Sequence, residues 1–152
     1  MKPYVFALAL SACVFFTGCS VTKEIKNGSA ARLKPIQTAS QISESGNSPA
    51  MNTILQDAIV AEGVKVLPAL PPGTRKQTDA DVLVSYADVW KWDFVMFLQT
   101  ITIRIFDAET GELLVSGRWA DAPLHGYRDA KLTVRELISD MFANLRSNTK
   151  QK

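Results

Sequence analysis

The spacing of apolar residues changes along this chain, and the change restricts the folds that it can adopt. Between residues 81 and 119 apolar side chains mostly alternate with polar ones, as they do in half-buried β-strands. After residue 129 they recur at every third or fourth position, as in an amphipathic helix. The 152 residues correspond to one domain of ordinary size. The pattern therefore predicts a single α+β domain.

The predicted order of elements is β-α-β-β-β-β-α. Pro35 places the first strand at a sheet edge, and Pro68 ends the second strand. Gly111, between the last two strands, has the conformational freedom that a tight turn requires, and this hairpin is the most clearly indicated part of the sheet. The strands are expected at residues 32–38, 64–67, 81–90, 97–106 and 113–119, and the helices at 49–62 and about 129–146.

Both predicted helices carry boundary signals and one apolar stripe. Ser48 and Pro49 fit an N-cap followed by a proline in the first turn, and Gly63 fits the position after the helix. Residues 133–136 (TVRE) fit a capping box, which allows a later start for the second helix. Two such stripes cover one face of a mainly antiparallel sheet, which makes a two-layer sandwich. The stripes are Ile54, Leu55, Ala58 and Ile59, and Val134, Leu137, Ile138, Met141, Phe142 and Leu145.

An uncharged run precedes a cysteine near the N-terminus. Residues 4–16 follow Lys2 and carry no charge, and these thirteen residues are too few for a membrane-spanning helix, which needs about 20. A positive start followed by a short apolar run is typical of an export signal. The next residues are more specific, because residues 16–19 (FTGC) resemble the lipobox of bacterial lipoproteins. In that family a diacylglycerol is attached to the cysteine thiol, and the bond before the cysteine is cut.

The lipobox resemblance implies a location for the mature chain. Residues 1–18 would be the lipoprotein signal peptide, and Cys19 would carry diacylglycerol and a further acyl chain such as palmitate. Several acyl chains together form a durable membrane anchor. Ser20 is not the aspartate associated with inner-membrane retention, so the resemblance implies the outer membrane, with the domain in the periplasm. The alternative is an ordinary signal peptide with a chance cysteine.

The lipobox resemblance and the predicted elements together give the expected domain organisation. Residues 19–30 are polar apart from a few side chains and are interpreted as a lipidated N-terminus and flexible tether. Residues 31–147 are expected to form the single α+β domain, and residues 148–152 a frayed tail.

Little in the sequence indicates catalysis. The net charge of +2 excludes an extended nucleic-acid surface, and one histidine with two cysteines argues against a zinc site or a disulfide scaffold. His125 lies in a predicted loop, and catalysis would need it within hydrogen-bond reach of a serine or a carboxylate. No spacing indicates such a group, so we expect no enzyme, no metal and no cofactor. A hydrolase that uses His125 is the alternative.

An aromatic segment is the most unusual part of the chain. Trp90 and Trp92 share one face of a strand, because side chains alternate along strands, and Tyr86 lies on the same face. We prefer the interpretation that this row caps one end of the core with its N–H and O–H groups at the rim. Alternatively, the row is a strip that binds a partner or a ligand. The candidate contact residues are Tyr86, Trp90, Trp92, Phe97 and Trp119.

Three segments resemble a family of unknown function among small Gram-negative envelope lipoproteins. They are residues 81–86 (DVLVSY), 90–93 (WKWD) and 107–114 (DAETGELL). The family pattern is an alternating strand that ends in tyrosine, then Trp-x-Trp-Asp, then Asp-x-x-Thr-Gly. The resemblance covers about residues 48–146 and supplies no catalytic residue. The element order also looks like that of lipoproteins that assist peptidoglycan synthases or curli secretion, which is an analogy of fold.

An anchor, a tether and a small domain without catalytic machinery predict a docking or accessory module of an envelope protein complex. Its expected partners are membrane lipid, through Cys19, and an envelope protein, but no nucleic acid. The alternative is a carrier of a lipid or small ligand, which requires an apolar pocket lined by aromatic residues. That pocket would be lined by Tyr86, Trp90, Trp92 and Phe97.

Overall fold

The computed structural model describes residues 21–30, 34–122 and 127–149. Six strands form one sheet in the order β1-β6-β5-β4-β2-β3. Both helices pack on the same face of this sheet and share one hydrophobic core with it. The predicted α+β two-layer sandwich is therefore confirmed. The elements are β1 (Thr22–Asn27), β2 (Thr38–Ile42), α1 (Pro49–Ala61), β3 (Lys65–Leu70), β4 (Val82–Asp93), β5 (Val95–Asp107), β6 (Leu113–Ala120) and α2 (Ala130–Thr149).

The sheet is mixed. Strands β1, β6, β5 and β4 form antiparallel pairs, so most of the sheet has the predicted orientation. Strand β2 runs parallel to both of its neighbours, β4 and β3. The parallel pair β2 and β3 is joined through α1, because parallel strands need a crossover connection rather than a tight turn.

The core lies between the helices and one face of the sheet. Alternate residues of β4 and β5 supply the sheet side, and the stripe of α2 supplies most of the helix side. Gly117 in β6 lies directly beneath α2, where an added Cβ would come within 2.4 Å of the Met141 sulfur. The absence of a side chain at Gly117 therefore lets α2 pack against the strand. The fully buried core residues include Val82, Val84, Ile101, Ile103, Ile105, Val134, Leu137, Ile138 and Met141.

The predicted boundaries of α1 are confirmed. Ser48 is the N-cap residue, and Pro49 is the first residue of the helix. The helix ends at Ala61, and Gly63 follows with a φ of 81°, a conformation that glycine adopts without strain. The Ser48 side chain does not cap the helix, and it donates a hydrogen bond to Asp88 of β4 instead.

The predicted start of α2 at about residue 129 is confirmed, but its predicted end needs correction. The helix begins at Ala130, because Asp129 accepts a hydrogen bond of 2.9 Å from the backbone N–H of Leu132 and caps the first turn. A later start at residues 133–136 is therefore wrong. The helix also continues through Thr149, where a frayed tail was expected from residue 148. Asn148 donates a hydrogen bond of 3.1 Å to the Asn27 side chain of β1, which holds this last turn against the sheet.

The first predicted strand is displaced. It was expected at residues 32–38 on a sheet edge, but β2 is Thr38–Ile42 and lies inside the sheet between β3 and β4. Asp81 fixes this position, because its carboxylate accepts hydrogen bonds from the N–H and the hydroxyl of Thr38 at 3.0 Å. Residues 31–33 lie outside the described part. Pro68 does not end β3, which continues to Leu70 on the sheet edge, where a proline is tolerated.

The prediction of a flexible tether over residues 19–30 is wrong for Thr22–Asn27, which form β1. This strand pairs with β6 along its full length, with Thr22 opposite Ala120. Ile25 packs against the core, and Lys23 forms an ion pair with Asp140 of α2. The unpaired edge of β6 offers hydrogen bonds to any extended segment, so a strand forms here with one apolar anchor. The domain therefore begins before residue 31.

The pairing of β1 predicts protection of its backbone. We expect the amides of β1 that bond to β6 to exchange hydrogen for deuterium at least about tenfold more slowly than an unstructured peptide. Mass spectrometry of peptides that cover Thr22–Asn27 measures this rate. Exchange of all β1 amides at the unstructured rate would restore the tether interpretation.

Candidate functional site

Strands β4 and β5 extend beyond the rest of the sheet. Val89 lies opposite Thr100, and Thr100 lies opposite Ala120, the last residue of β6. Past this row β4 and β5 continue as a pair as far as Asp93 opposite Val95, and in the described structure the backbone of the segment after β6 adds one hydrogen bond, from the Asp121 N–H to the Gln99 carbonyl oxygen. We call residues 90–98 the hairpin tip. It is a two-stranded projection from one end of the sheet.

The hairpin tip presents apolar side chains to solvent. The exposed fractions are 71% for Trp92, 87% for Phe94, 48% for Val95 and 57% for Met96. Trp92 and Met96 lie opposite each other, so they share one face of the tip. Single exposed apolar residues are ordinary, but four exposed apolar side chains at one tip make residues 92 and 94–96 a candidate interaction site.

Phe94 has a backbone conformation that is unfavourable for a residue with a bulky side chain. Its φ is 59°, in the left-handed region, where turns usually place glycine or asparagine. A residue with a Cβ pays roughly 1–2 kcal/mol for this conformation. A bulky, solvent-exposed aromatic residue therefore does not serve the stability of the turn. Strain of this kind is found at functional sites.

The base of the hairpin tip is tied to the start of α1. The Asp88 carboxylate accepts hydrogen bonds from the Ser48 hydroxyl at 2.6 Å and from the Trp90 indole N–H at 2.5 Å. This carboxylate also lies at the N-terminal end of α1, where the helix dipole favours a negative charge. Trp90 is half-buried and packs against the core. The tip therefore projects from a fixed base.

Tyr86 extends the same polar network into the core. Its hydroxyl lies 2.6 Å from the Asn52 side-chain oxygen and 3.2 Å from the Ser48 carbonyl oxygen. Burial raises the pKa of Tyr86 to about 12, and the nearby negative charge of Asp88 adds to the shift. The hydroxyl therefore stays protonated and acts as a donor throughout the physiological range.

Tyr127 braces the hairpin tip from the side. Its hydroxyl donates a hydrogen bond of 3.1 Å to the carbonyl oxygen of Asp93. Its ring meets Phe97 edge to face, with the ring centroids 6.1 Å apart. Such aromatic pairs add roughly 0.5–1.5 kcal/mol to the burial of the rings. The brace holds the end of the tip, which carries the exposed apolar residues.

The five residues predicted as candidate contacts do not form one strip. Tyr86 and Trp119 are 1% and 5% exposed and belong to the core, and Phe97 is 7% exposed. Trp90 is half-buried, which leaves Trp92 as the exposed member of the five. The structure thus divides the row into a core-capping part and an exposed end.

The predicted list of contact residues omits the apolar residues that accompany Trp92 at the tip, namely Phe94, Val95 and Met96. The turn between β4 and β5 was not predicted, because it contains no glycine, proline or asparagine. The missing turn residue was itself a signal. Two strand patterns joined by an apolar aromatic turn indicate a connection selected for something other than folding.

Cys19 and His125 lie outside the described residues, so neither the anchor nor catalysis by His125 is tested here. Within residues 21–30, 34–122 and 127–149, no three His, Cys, Asp or Glu side chains are grouped to hold a metal ion. Neither helix of this part is long and apolar enough to cross a bilayer.

A groove of about 270 Å³ lies on the sheet face opposite the helices. Leu83, Ser85 and Phe106 form its floor, and Thr74 and Arg75 from the loop after β3 form its side. None of the aromatic residues predicted to line a ligand pocket contributes to it. The groove therefore gives the carrier hypothesis no support from those residues.

No family model matches the chain, and no curated protein matches it. Among solved structures, the PelC dodecamer from Paraburkholderia phytofirmans is similar with a TM-score of 0.54 and 14% identity, over 82% of this chain and 96% of that chain. A point variant of this dodecamer gives 0.53 and 17%, over 83% and 97%. A PDZ domain protein from Parabacteroides distasonis gives 0.48 and 13%, over 93% and 39%. The similarity to PelC concerns the fold alone.

The buried hydroxyl of Tyr86 predicts a loss of stability at alkaline pH. Its pKa rises from 10 to about 12 on folding, so the stabilisation is complete below pH 10 and disappears as the pH approaches 12. We expect the unfolding free energy to fall by about 1–3 kcal/mol more in the wild type than in Tyr86→Phe between pH 9 and 12. Urea titrations of both proteins measure the difference, and equal losses would contradict the assignment.

Proposed function

We propose that this chain is a lipid-anchored envelope lipoprotein, attached to the outer membrane through a diacylglycerol-modified Cys19. Its domain in the periplasm serves as a non-enzymatic docking or accessory module for an envelope protein complex. The anchor follows from the lipobox-like residues 16–19 and the uncharged run before them. This location also agrees with the resemblance to envelope lipoproteins described above.

The position of β1 is the structural observation that carries the proposal. Strand β1 begins at Thr22, only three residues after Cys19 (22 − 19 = 3). Three residues span at most about 10 Å, so a lipidated Cys19 would hold the folded domain directly at the bilayer surface. A module that works close to the membrane is the function that this short link serves best.

The sheet face opposite the helices supplies the docking surface in this proposal. Arg104 of β5 lies on this face, because its neighbours Ile103 and Ile105 point into the core. Arg118 of β6 lies on the same face, diagonal to Arg104, and both side chains are exposed. Arginine is enriched in protein interfaces, where its planar group binds carboxylates. The expected partner is therefore an envelope protein with an acidic surface.

The anchor predicts a change of location in one variant. When cells are fed labelled palmitate, we expect label on the wild-type chain, none on Cys19→Ala, and release of the variant from the membrane fraction. The physical reason is that the thiol is the attachment site of the lipid. Cys13→Ala, inside the leader, is the matched control and should behave as the wild type. Equal labelling of wild type and Cys19→Ala, or label on neither, would refute the anchor.

The docking surface predicts a position-dependent crosslink. A photo-crosslinking amino acid in place of Arg104 should give a covalent complex with a discrete protein in intact cells. The same substitution at Glu136, which is exposed on α2 on the other side of the domain, is the control and should give none. No product at Arg104, or the same product at both positions, would contradict docking through the sheet face.

A further inference from the structure

The strand register places the hairpin tip and the start of the described chain at the same end of the sheet. Thr22 of β1 lies opposite Ala120 of β6, and Ala120 lies opposite Thr100 of β5. The chain enters the sheet at Thr22, and β5 extends past Thr100 toward Phe94. Cys19 precedes Thr22 by three residues (22 − 19 = 3), so the link from the anchor meets the sheet on the side of the tip.

The reach of the tip and the reach of the link to Cys19 are also compatible with insertion. Five residue steps separate Val89 from Phe94 (94 − 89 = 5), because Gln99 of β5 lies in a bulge, so the tip reaches at most about 16 Å beyond the sheet at about 3.3 Å per strand residue. The link from Thr22 to Cys19 reaches at most about 10 Å. The tip therefore extends about 6 Å farther than the thiol (16 − 10 = 6). Amphipathic elements bury themselves about 5–10 Å into the boundary between headgroups and acyl chains.

The side chains of the tip suit that boundary. Trp92 carries an apolar ring with a polar N–H, a type of side chain that is enriched at membrane interfaces. Phe94, Val95 and Met96 supply apolar surface. Asp93 is the carboxylate of the tip, and it lies on the strand face opposite Trp92 and Met96. Lys91 is exposed, and its long apolar stem lets its ammonium group reach the headgroups.

We propose that the hairpin tip inserts into the interfacial region of the same bilayer leaflet that holds the acylated Cys19. This inference rests on the proposed lipid anchor. A lipid surface is the occupant that the geometry favours, because the tip leaves the sheet at the same end as the link to Cys19 and reaches beyond it. Insertion would bury the exposed ring of Phe94 in an apolar environment and so explain why a strained turn carries an aromatic residue. The brace from Tyr127 keeps the tip extended for insertion.

Brominated lipids test the insertion directly, because bromine quenches tryptophan only at close range. The lipidated full chain is reconstituted into vesicles of phosphatidylethanolamine and phosphatidylglycerol, with and without bromine on the acyl chains. Trp92 is one of three tryptophans, and the other two lie in or against the core. We expect brominated vesicles to quench about one third of the emission, because Trp92 enters the interface. Trp92→Phe should abolish this quenching.

A charged residue at the turn should prevent insertion, and Phe94→Asp tests this. Phe94→Asp should remove the quenching of Trp92, because it places a second carboxylate, beside Asp93, at the very end of the tip, where an ionised group resists entry into the bilayer. Aspartate also tolerates the left-handed conformation. Val60→Asp, at an exposed apolar position near the opposite end of α1, is the matched control and should keep the quenching. An unchanged or raised melting temperature of Phe94→Asp shows that the variant folds. If it does not fold, Phe94→Gly replaces it, because glycine relieves the strain.

Unquenched wild-type emission in brominated vesicles would overturn the insertion, even if palmitate labelling confirms the anchor. Conversely, quenching in a chain that takes up no palmitate would refute the proposed anchor and leave the tip as a membrane contact in its own right. A photo-crosslinking amino acid in place of Phe94, used in cells, distinguishes a lipid from the other molecules that could contact the tip. A crosslink to lipid supports the inference, and one to another protein or to a second copy of the chain overturns it.

Discussion

The register that runs from β1 through β6 and β5 to β4 determines which end of the domain lies beside the N-terminus. Thr22, Ala120, Thr100 and Val89 form one row across the sheet, and the hairpin tip (residues 90–98) projects beyond that row. An unpaired tether of residues 19–30 would reach about 40 Å and leave the domain free to turn. Pairing of β1 with β6 shortens the link from Cys19 to Thr22 to three residue steps, which reach at most about 10 Å. For a chain lipidated at Cys19, the edge pairing of one strand therefore decides how the domain faces the membrane.

The hairpin tip conflicts with local folding preferences, and the contacts around it compensate. Phe94 occupies a left-handed conformation, and the apolar side chains near it face solvent. Against this, Asp88 connects Trp90 to the start of α1, and Tyr127 contacts both strands of the tip. Natural proteins depart from consistent local preferences mainly at functional sites. The rigid base and the strained end of the tip therefore have one explanation if the tip binds something.

The elements that the sequence predicted well are those in which packing against the core sets the pattern. The stripe of α2, the alternation in β5 and the glycine after α1 each leave a periodic or conformational signal. Strand β1 leaves none, because Ile25 is its sole apolar residue and backbone pairing at a sheet edge creates it. Strand β2 buries Ser40 and Gln41, so its hydropathy resembles that of a loop. The aromatic side chains of the tip are evident in the sequence. Which of them are buried depends on where β6 ends, because β4 and β5 project beyond that point, and the sequence does not indicate it.

An acyl anchor and an inserted hairpin would do different physical work. Several acyl chains already hold a protein durably, so the tip adds little to attachment. A single point of attachment leaves rotation free, whereas a second contact beyond it restricts the domain to a narrow set of orientations. Arg104 and Arg118 would then face one direction at a fixed height above the bilayer. A partner in the same envelope would meet a surface that is already oriented, and the entropy lost on docking would be smaller. The proposed membrane contact and the proposed docking surface would thus support each other without sharing a residue.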